Sequence, residues 1–153
     1  KFNNMRFIIA LLLLVCSHLG FAQIKDPVQW KYNIVKKSAD TYEVVITATL
    51  PKPWHIYSQN TPAGGPIPTS IVFKPNPLIS LVGKPKEIGK LQTEHDKNFG
   101  VDVKHYANEV TFIQVVKVKG KVKTNINGVV EYMVCDDHQC LPPTKKNFTL
   151  ALQ

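Results

Sequence analysis

Tyr42-Glu-Val-Val-Ile-Thr-Ala-Thr-Leu50 decides the class of fold. Its apolar positions 42, 44, 46, 48 and 50 recur at every second residue, the period of a strand with one face buried and one in water. β-Branched residues suit that pleated surface, and Pro51 and Pro53 end the run because proline cannot donate to a ladder. Working outward, Trp30-Lys-Tyr-Asn-Ile34 alternates in the same way, and Trp54-His-Ile-Tyr57 forms a short aromatic strand. Thr61-Pro-Ala-Gly-Gly-Pro-Ile-Pro68 is a loop by its proline and glycine content. Further strands are predicted over 70–74, 78–82, 121–125, 129–134 and 148–152, with a weaker one over 86–91. Val110-Thr-Phe-Ile-Gln-Val-Val-Lys-Val118 is apolar enough to be central. Asn127-Gly128 is a strong tight-turn signal and predicts a hairpin between the strands over 121–125 and 129–134.

No stretch repeats with a helical period. Nine or ten short strands with turn signals between them predict an all-β domain, and an immunoglobulin-like β-sandwich suits the length. The usual inter-sheet disulfide of that fold is absent, because Cys135 and Cys140 lie too close in sequence to join two sheets.

The first residues read differently. Arg6 precedes Phe7-Ile-Ile-Ala-Leu-Leu-Leu-Leu-Val-Cys16, with small residues at Gly20 and Ala22. That is the pattern of a secretory signal peptide, too short to span a bilayer comfortably. The expected boundaries are a signal peptide over 1–22, with 1–4 an upstream extension before Met5, and one domain over 23–153. Lipidation at Cys16 is the lesser alternative, since Val15 replaces the small residue a lipoprotein peptidase prefers. The leader carries Lys1 and Arg6, so 17 of the 19 basic residues and all 11 acidic ones remain beyond it, a net charge of +6. The lysines are scattered along strands without a stacking platform, which argues for a solvated surface and against nucleic acid. Export to the periplasm places the remaining cysteines in an oxidising compartment, where an even count normally forms a disulfide.

Those cysteines lie in Val134-Cys-Asp-Asp-His-Gln-Cys-Leu-Pro-Pro143, between a strand and a proline stop, at the expected rim of the sandwich. Rims of rigid scaffolds carry binding residues. A ring of about six residues stabilises a fold by only about 2 kcal/mol, which makes the pair a candidate for chemistry. Three plainer readings stay open: a structural staple, two free thiols, or a metal site of Cys135, Cys140, His138 and Asp136 or Asp137. A second ligand cluster, usual for zinc, is missing from the sequence, so no metal and no cofactor is expected. Asp136 and Asp137 disfavour a thiolate, and a protonated His138 offsets them. His55, His95 and His105 are dispersed and read as ordinary surface or strand residues.

Tyr132-Met-Val-Cys-Asp-Asp-His-Gln-Cys-Leu-Pro-Pro-Thr144 resembles the active-site segment of the N-terminal periplasmic domain of the thiol:disulfide interchange protein DsbD. Trp54-His-Ile-Tyr57 is similar to that domain's aromatic strand, and Asp96-Lys-Asn-Phe-Gly100, with a strand beginning near Tyr106, to its cap loop. The loop here has four residues between the cysteines, where the best-known members have five. The resemblance implies an immunoglobulin-like fold and a protein-disulfide reductase activity. It also implies a Cys135–Cys140 disulfide, with Cys140 forming the mixed disulfide and Cys135 resolving it. Phe99 would shield the pair, while Tyr57 and Trp54 line the site. The implied partners are a thioredoxin-like electron donor, in a C-terminal part of the same protein or a separate polypeptide, and oxidised periplasmic proteins such as a disulfide isomerase or a cytochrome c maturation factor. The rival expectation is a non-catalytic immunoglobulin-like binding module with a structural disulfide.

Overall fold

A computed structural model describes residues 26–97, 99–120 and 122–153. The expected signal peptide, its cleavage after Ala22 and Cys16 lie outside the described residues, as do Asn98 and Lys121. Nine strands and no helix are found among the described residues. They are β1 (Gln29–Lys36), β2 (Thr41–Thr49), β3 (His55–Tyr57), β4 (Ser70–Phe73), β5 (Ile79–Asp96), β6 (Val101–Val118), β7 (Thr124–Tyr132), β8 (Val134–Cys135) and β9 (Thr144–Leu152). One sheet has the order β1-β2-β6-β3-β8, with β5 paired along the other edge of β6; the second has the order β4-β7-β9. All the strand pairs are antiparallel, and the architecture is the expected immunoglobulin-like sandwich.

Alternation fills the core. Tyr42, Val44, Ile46 and Ala48 of β2 point inward beside Val110, Phe112 and Val116 of β6. They meet Ile126, Val130 and Tyr132 of β7 and Phe148 and Leu152 of β9. Full burial of each larger aliphatic or Phe side chain contributes about 1.5–3 kcal/mol, which is why the period-two pattern dominates the fold.

Two expectations are corrected. Asn127-Gly128 makes no turn: β7 runs straight through it, with Asn127 opposite Thr149 and Gly128 opposite Phe148. Gly128 also pairs with Phe73 of β4, so β7 is the central strand of its sheet and pairing on both edges overrides the local preference of the dipeptide. The left-handed glycine that the chain uses before β7 is Gly120, with φ 77°. The stretches read as separate strands over 78–82 and 86–91 join into the 18-residue β5, and β6 begins at Val101, so Tyr106 lies within a strand rather than at its start. β5 is an edge strand whose pairing is interrupted between Val82 and Lys86 and between Gly89 and Leu91. Gly83 takes φ 67° at the first break, and the buried amide of Gln114 donates to the carbonyl of Val82 at 3.1 Å there.

The site is positioned by one change of sheet. β7 belongs to the three-stranded sheet and β8 to the other, so the chain crosses at Met133 and delivers Cys135 to the rim.

Candidate functional site

Cys135 and Cys140 are joined by a disulfide, with their Cα atoms 4.0 Å apart and bridged as an isolated antiparallel pair. The loop between them is held by its own backbone. Asp136 N–H donates to the Gln139 carbonyl at 2.9 Å, and Leu141 N–H donates to the Val134 carbonyl at 2.9 Å. The Asp136 carboxylate accepts from the amides of His138 (2.9 Å) and Gln139 (2.8 Å), an arrangement Asp favours in turns. The His138 amide is the main cause that holds this carboxyl below its usual range, with the Gln139 amide adding to it against the cost of desolvation. Asp136 thus shapes the ring, whereas His138 and Asp137 are exposed.

The two cysteines are unequal. Cys135 is 1% exposed and packs with Tyr57 and Val103, while Cys140 is only half-buried. β8 pairs with β3, placing Cys135 opposite His55 and Val134 opposite Ile56. Because side chains alternate across a strand, Trp54 and Ile56 enter the main core, and His55 and Tyr57 take the face of Cys135. Trp54, expected to line the site, therefore belongs to the main core instead.

On its other edge β3 pairs with β6, bringing Tyr57 opposite His105. The His55 and His105 rings lie 4.6 Å apart at 44°, and His55 meets Tyr57 edge-on at 5.5 Å. Tyr57 Oη donates to Asp96 Oδ2 at 3.2 Å, and His105 Nε2 faces Gln92 Oε1 at 2.9 Å. His105 Nδ1 has no hydrogen-bond partner and lies 3.6 Å from Glu94 Oε1. Burial pushes His55 below the ordinary histidine value, against the carboxylates of Glu94, Asp96 and Asp137 and a hydrogen bond to the Pro53 carbonyl. Burial does the same to His105, helped by His55, so both rings are disfavoured in their charged form. Burial, then the charge of Asp96 and its hydrogen bond, push the Tyr57 phenol up.

The segment expected to act as a cap, Asp96 to Gly100, falls where β5 passes to β6, and its Asn98 lies outside the described residues. Phe99 is half-buried there, its amide 3.4 Å from Asp96 Oδ1. The half-buried residues packed on the cysteine cluster are Val101, Met133 and Cys140, and Phe99 is not one of them. A shallow open pocket beside Cys135 is lined by His55, Glu94, His95, Asp96, Lys97, Asp136 and Asp137. Four carboxylates against one lysine make it acidic on a basic protein. Among the described residues, no three His, Cys, Asp or Glu side chains are grouped as a metal site.

The structure therefore brings together Cys135, Cys140 and Tyr57, keeps His138 on the loop and adds two histidines that the sequence left dispersed. The usable signal was the alternation Trp54-His-Ile-Tyr57, which puts His55 on the face of Tyr57; nothing local points to His105.

A family model for the thiol:disulfide interchange protein DsbD, N-terminal, matches residues 23–152. Among solved structures, the chain is similar to the reduced N-terminal domain of Neisseria meningitidis DsbD. The identity is 16%, the TM-score 0.55, and 80% of this chain and 84% of that one are covered. It is also similar to a chain from the complex between the DsbD N-terminal and PilB N-terminal domains of Neisseria meningitidis. There the identity is 16%, the TM-score 0.52, and 78% and 80% of the two chains are covered. No curated protein matches the chain.

Proposed function

The chain belongs to the family of DsbD N-terminal domains, and from that premise we propose that it is a periplasmic domain relaying reducing equivalents to oxidised exported proteins through Cys135 and Cys140. The observation that carries the reading is the inequality of the pair at the rim. Cys140 is half-buried and Cys135 is sealed by Tyr57 and Val103, so an incoming partner meets Cys140 first. In the reducing direction the Cys140 thiolate attacks the target disulfide and expels one target thiolate. Cys135 then attacks Cys140 Sγ, closes the ring and releases the second target thiolate. Two electrons pass from the cysteine pair to the target. Reduction of the ring by a thioredoxin-like donor runs the same steps in reverse.

A thioredoxin-like partner is supported in general terms by the complex of the Neisseria DsbD domain with the PilB N-terminal domain, and its role as electron donor is part of the proposal. A disulfide isomerase or a cytochrome c maturation factor is the target class we propose. Phe99, which follows Asp96 closely and stands outside the buried cysteine cluster, is the proposed shield of the pair's exposed side, displaced when a partner docks.

Trapping tests the assignment. Cys135→Ala should accumulate a mixed disulfide through Cys140, and Cys140→Ala should accumulate none. Redox titration with an alkylation readout should find the pair reducible at the potentials of thioredoxin-like proteins. A pair still oxidised far below about −300 mV is a staple, and the binding-module reading then replaces this one.

A further inference from the structure

We propose that His55 accepts the proton of the Cys135 thiol when Cys135 resolves the mixed disulfide, with His105 behind it as a positioning residue. The inference rests on the exchange reading above and deepens it. Burial raises the pKa of a thiol in apolar surroundings, yet only the thiolate attacks a disulfide. Cys135, sealed against Tyr57 and Val103, therefore needs a base within its own pocket.

His55 is its direct cross-strand partner, and facing residues of an antiparallel pair hold their Cβ atoms about 4.5–5.5 Å apart on one face. Both line the same pocket. The groups that face His55 or share its pocket are Tyr57 on its own strand, His105 on β6, Glu94, His95 and Asp96 on β5, Lys97 just after it, and Asp136 and Asp137 on the cysteine loop, so four carboxylates outweigh one lysine. The carboxylates favour a proton on the ring once the thiol has lost it, while burial disfavours the charged ring beforehand. A hydrogen bond to the Pro53 carbonyl engages one ring N–H, and Nε2 lies 3.4 Å from Tyr57 Oη, whose own proton goes to Asp96, so one nitrogen of the neutral ring keeps its lone pair as an acceptor. His105 is itself fixed by Gln92 and packs on the His55 ring.

The step balances. Cys135 S–H gives its proton to His55, and the thiolate attacks Cys140 Sγ. The Cys135–Cys140 bond forms as the bond to the target sulfur breaks. The departing thiolate takes the electron pair, and the His55 imidazolium returns the proton to it or to solvent. In the reverse direction the imidazolium protonates Cys135 as it leaves.

The test uses the full chain, reduced and mixed rapidly with dithiobis-nitrobenzoate. Each phase releases one nitrothiobenzoate, the first as Cys140 takes up half of the reagent and the second as Cys135 closes the ring. General-base help typically contributes about 10²–10⁴-fold, and for a thiol, already fairly acidic, we expect about tenfold or more. His55→Gln should slow the second phase by that factor at pH 7 and leave the first unchanged. It should also remove the fall in rate seen as His55 protonates. NMR titration of the His55 ring in the reduced, otherwise unaltered chain avoids any folding defect at position 55. Its midpoint should move when Cys135→Ser removes the coupled thiol. An unchanged second phase in His55→Gln, or a His55 titration indifferent to Cys135→Ser, overturns the proposal. Absence of any second phase in the unaltered chain defeats the exchange reading itself, while the NMR coupling still decides the role of His55.

Discussion

Replacing Gly128 by alanine probes the three-stranded sheet at its tightest point. An added Cβ would lie 2.9 Å from Phe148 Cε1 and 2.9 Å from the Val72 carbonyl oxygen, and closer still to Phe148 Cζ. Neither neighbour yields easily. Val72 is held in the ladder between β4 and β7, opposite Val129. The Phe148 ring stacks on Tyr32 at 5.2 Å and meets Phe73 edge-on at 5.8 Å. Overpacking of this kind costs about 1–3 kcal/mol. Taking about 2 kcal/mol, a domain of this size loses about 8 °C in Tm. Urea denaturation of Gly128→Ala, Phe148→Leu and the double variant measures the coupling. At least half of the alanine cost should vanish in the Phe148→Leu background, because the smaller side chain vacates the space. Gly128 is absent from the glycines with positive φ, so backbone strain contributes nothing to that cost. Equal costs in both backgrounds, with coupling below about 0.5 kcal/mol, would refute the straight β7 and restore a turn at Asn127-Gly128.

Three further outcomes follow from the geometry. The Cys135→Ala/Cys140→Ala variant should lose all exchange activity but only about 2 kcal/mol of stability in urea, since the ring is small. Asp136→Ala removes the acceptor of two loop amides, so the dithiol should close less readily. Its reduction potential, measured against glutathione, should then become less negative, by about 30 mV for each tenfold loss of closure. Tyr57, Tyr106 and Tyr132 all have phenols pushed up, chiefly by burial, so the folded state keeps protons that the unfolded chain releases near pH 10. Stability should therefore hold below pH 10 and fall as the pH rises above it. Tyr132→Phe, which also breaks the 2.9 Å bond to Asp26, should make that alkaline fall shallower in pH-dependent thermal melts.

What the sequence reveals depends on how far apart the interacting residues lie. β2 was legible because its inward face, Tyr42 to Ala48, is written in seven consecutive residues, and the cysteine loop because its parts are adjacent. β5 was read as separate pieces because most of its side chains are exposed and its ladder is twice interrupted, so no single period runs through it. Asn127-Gly128 misled because a dipeptide preference of local origin met pairing on both edges of β7. The histidine pair stayed hidden for another reason. His55 and His105 are fifty positions apart, and only the place of β3 between β6 and β8 makes them neighbours of each other and of Cys135. The resemblance placed Trp54 with Tyr57 at the site, although three residues along a strand put side chains on opposite faces.

The two breaks in β5 have a consequence for the protein in concentrated solution. An 18-residue strand with one unpaired edge and exposed Leu81, Val82, Ile88 and Leu91 is a template onto which a second molecule can zip. Fibril-forming zippers need about six or seven uninterrupted residues of low charge. The breaks divide β5 into paired runs over 79–82, 86–89 and 91–96, and the longest of these carries Glu94, His95 and Asp96. Gly83, Lys84 and Pro85 occupy the first gap, where a flat edge would otherwise be continuous. The same interruptions thus guard the domain against strand-by-strand growth from this edge.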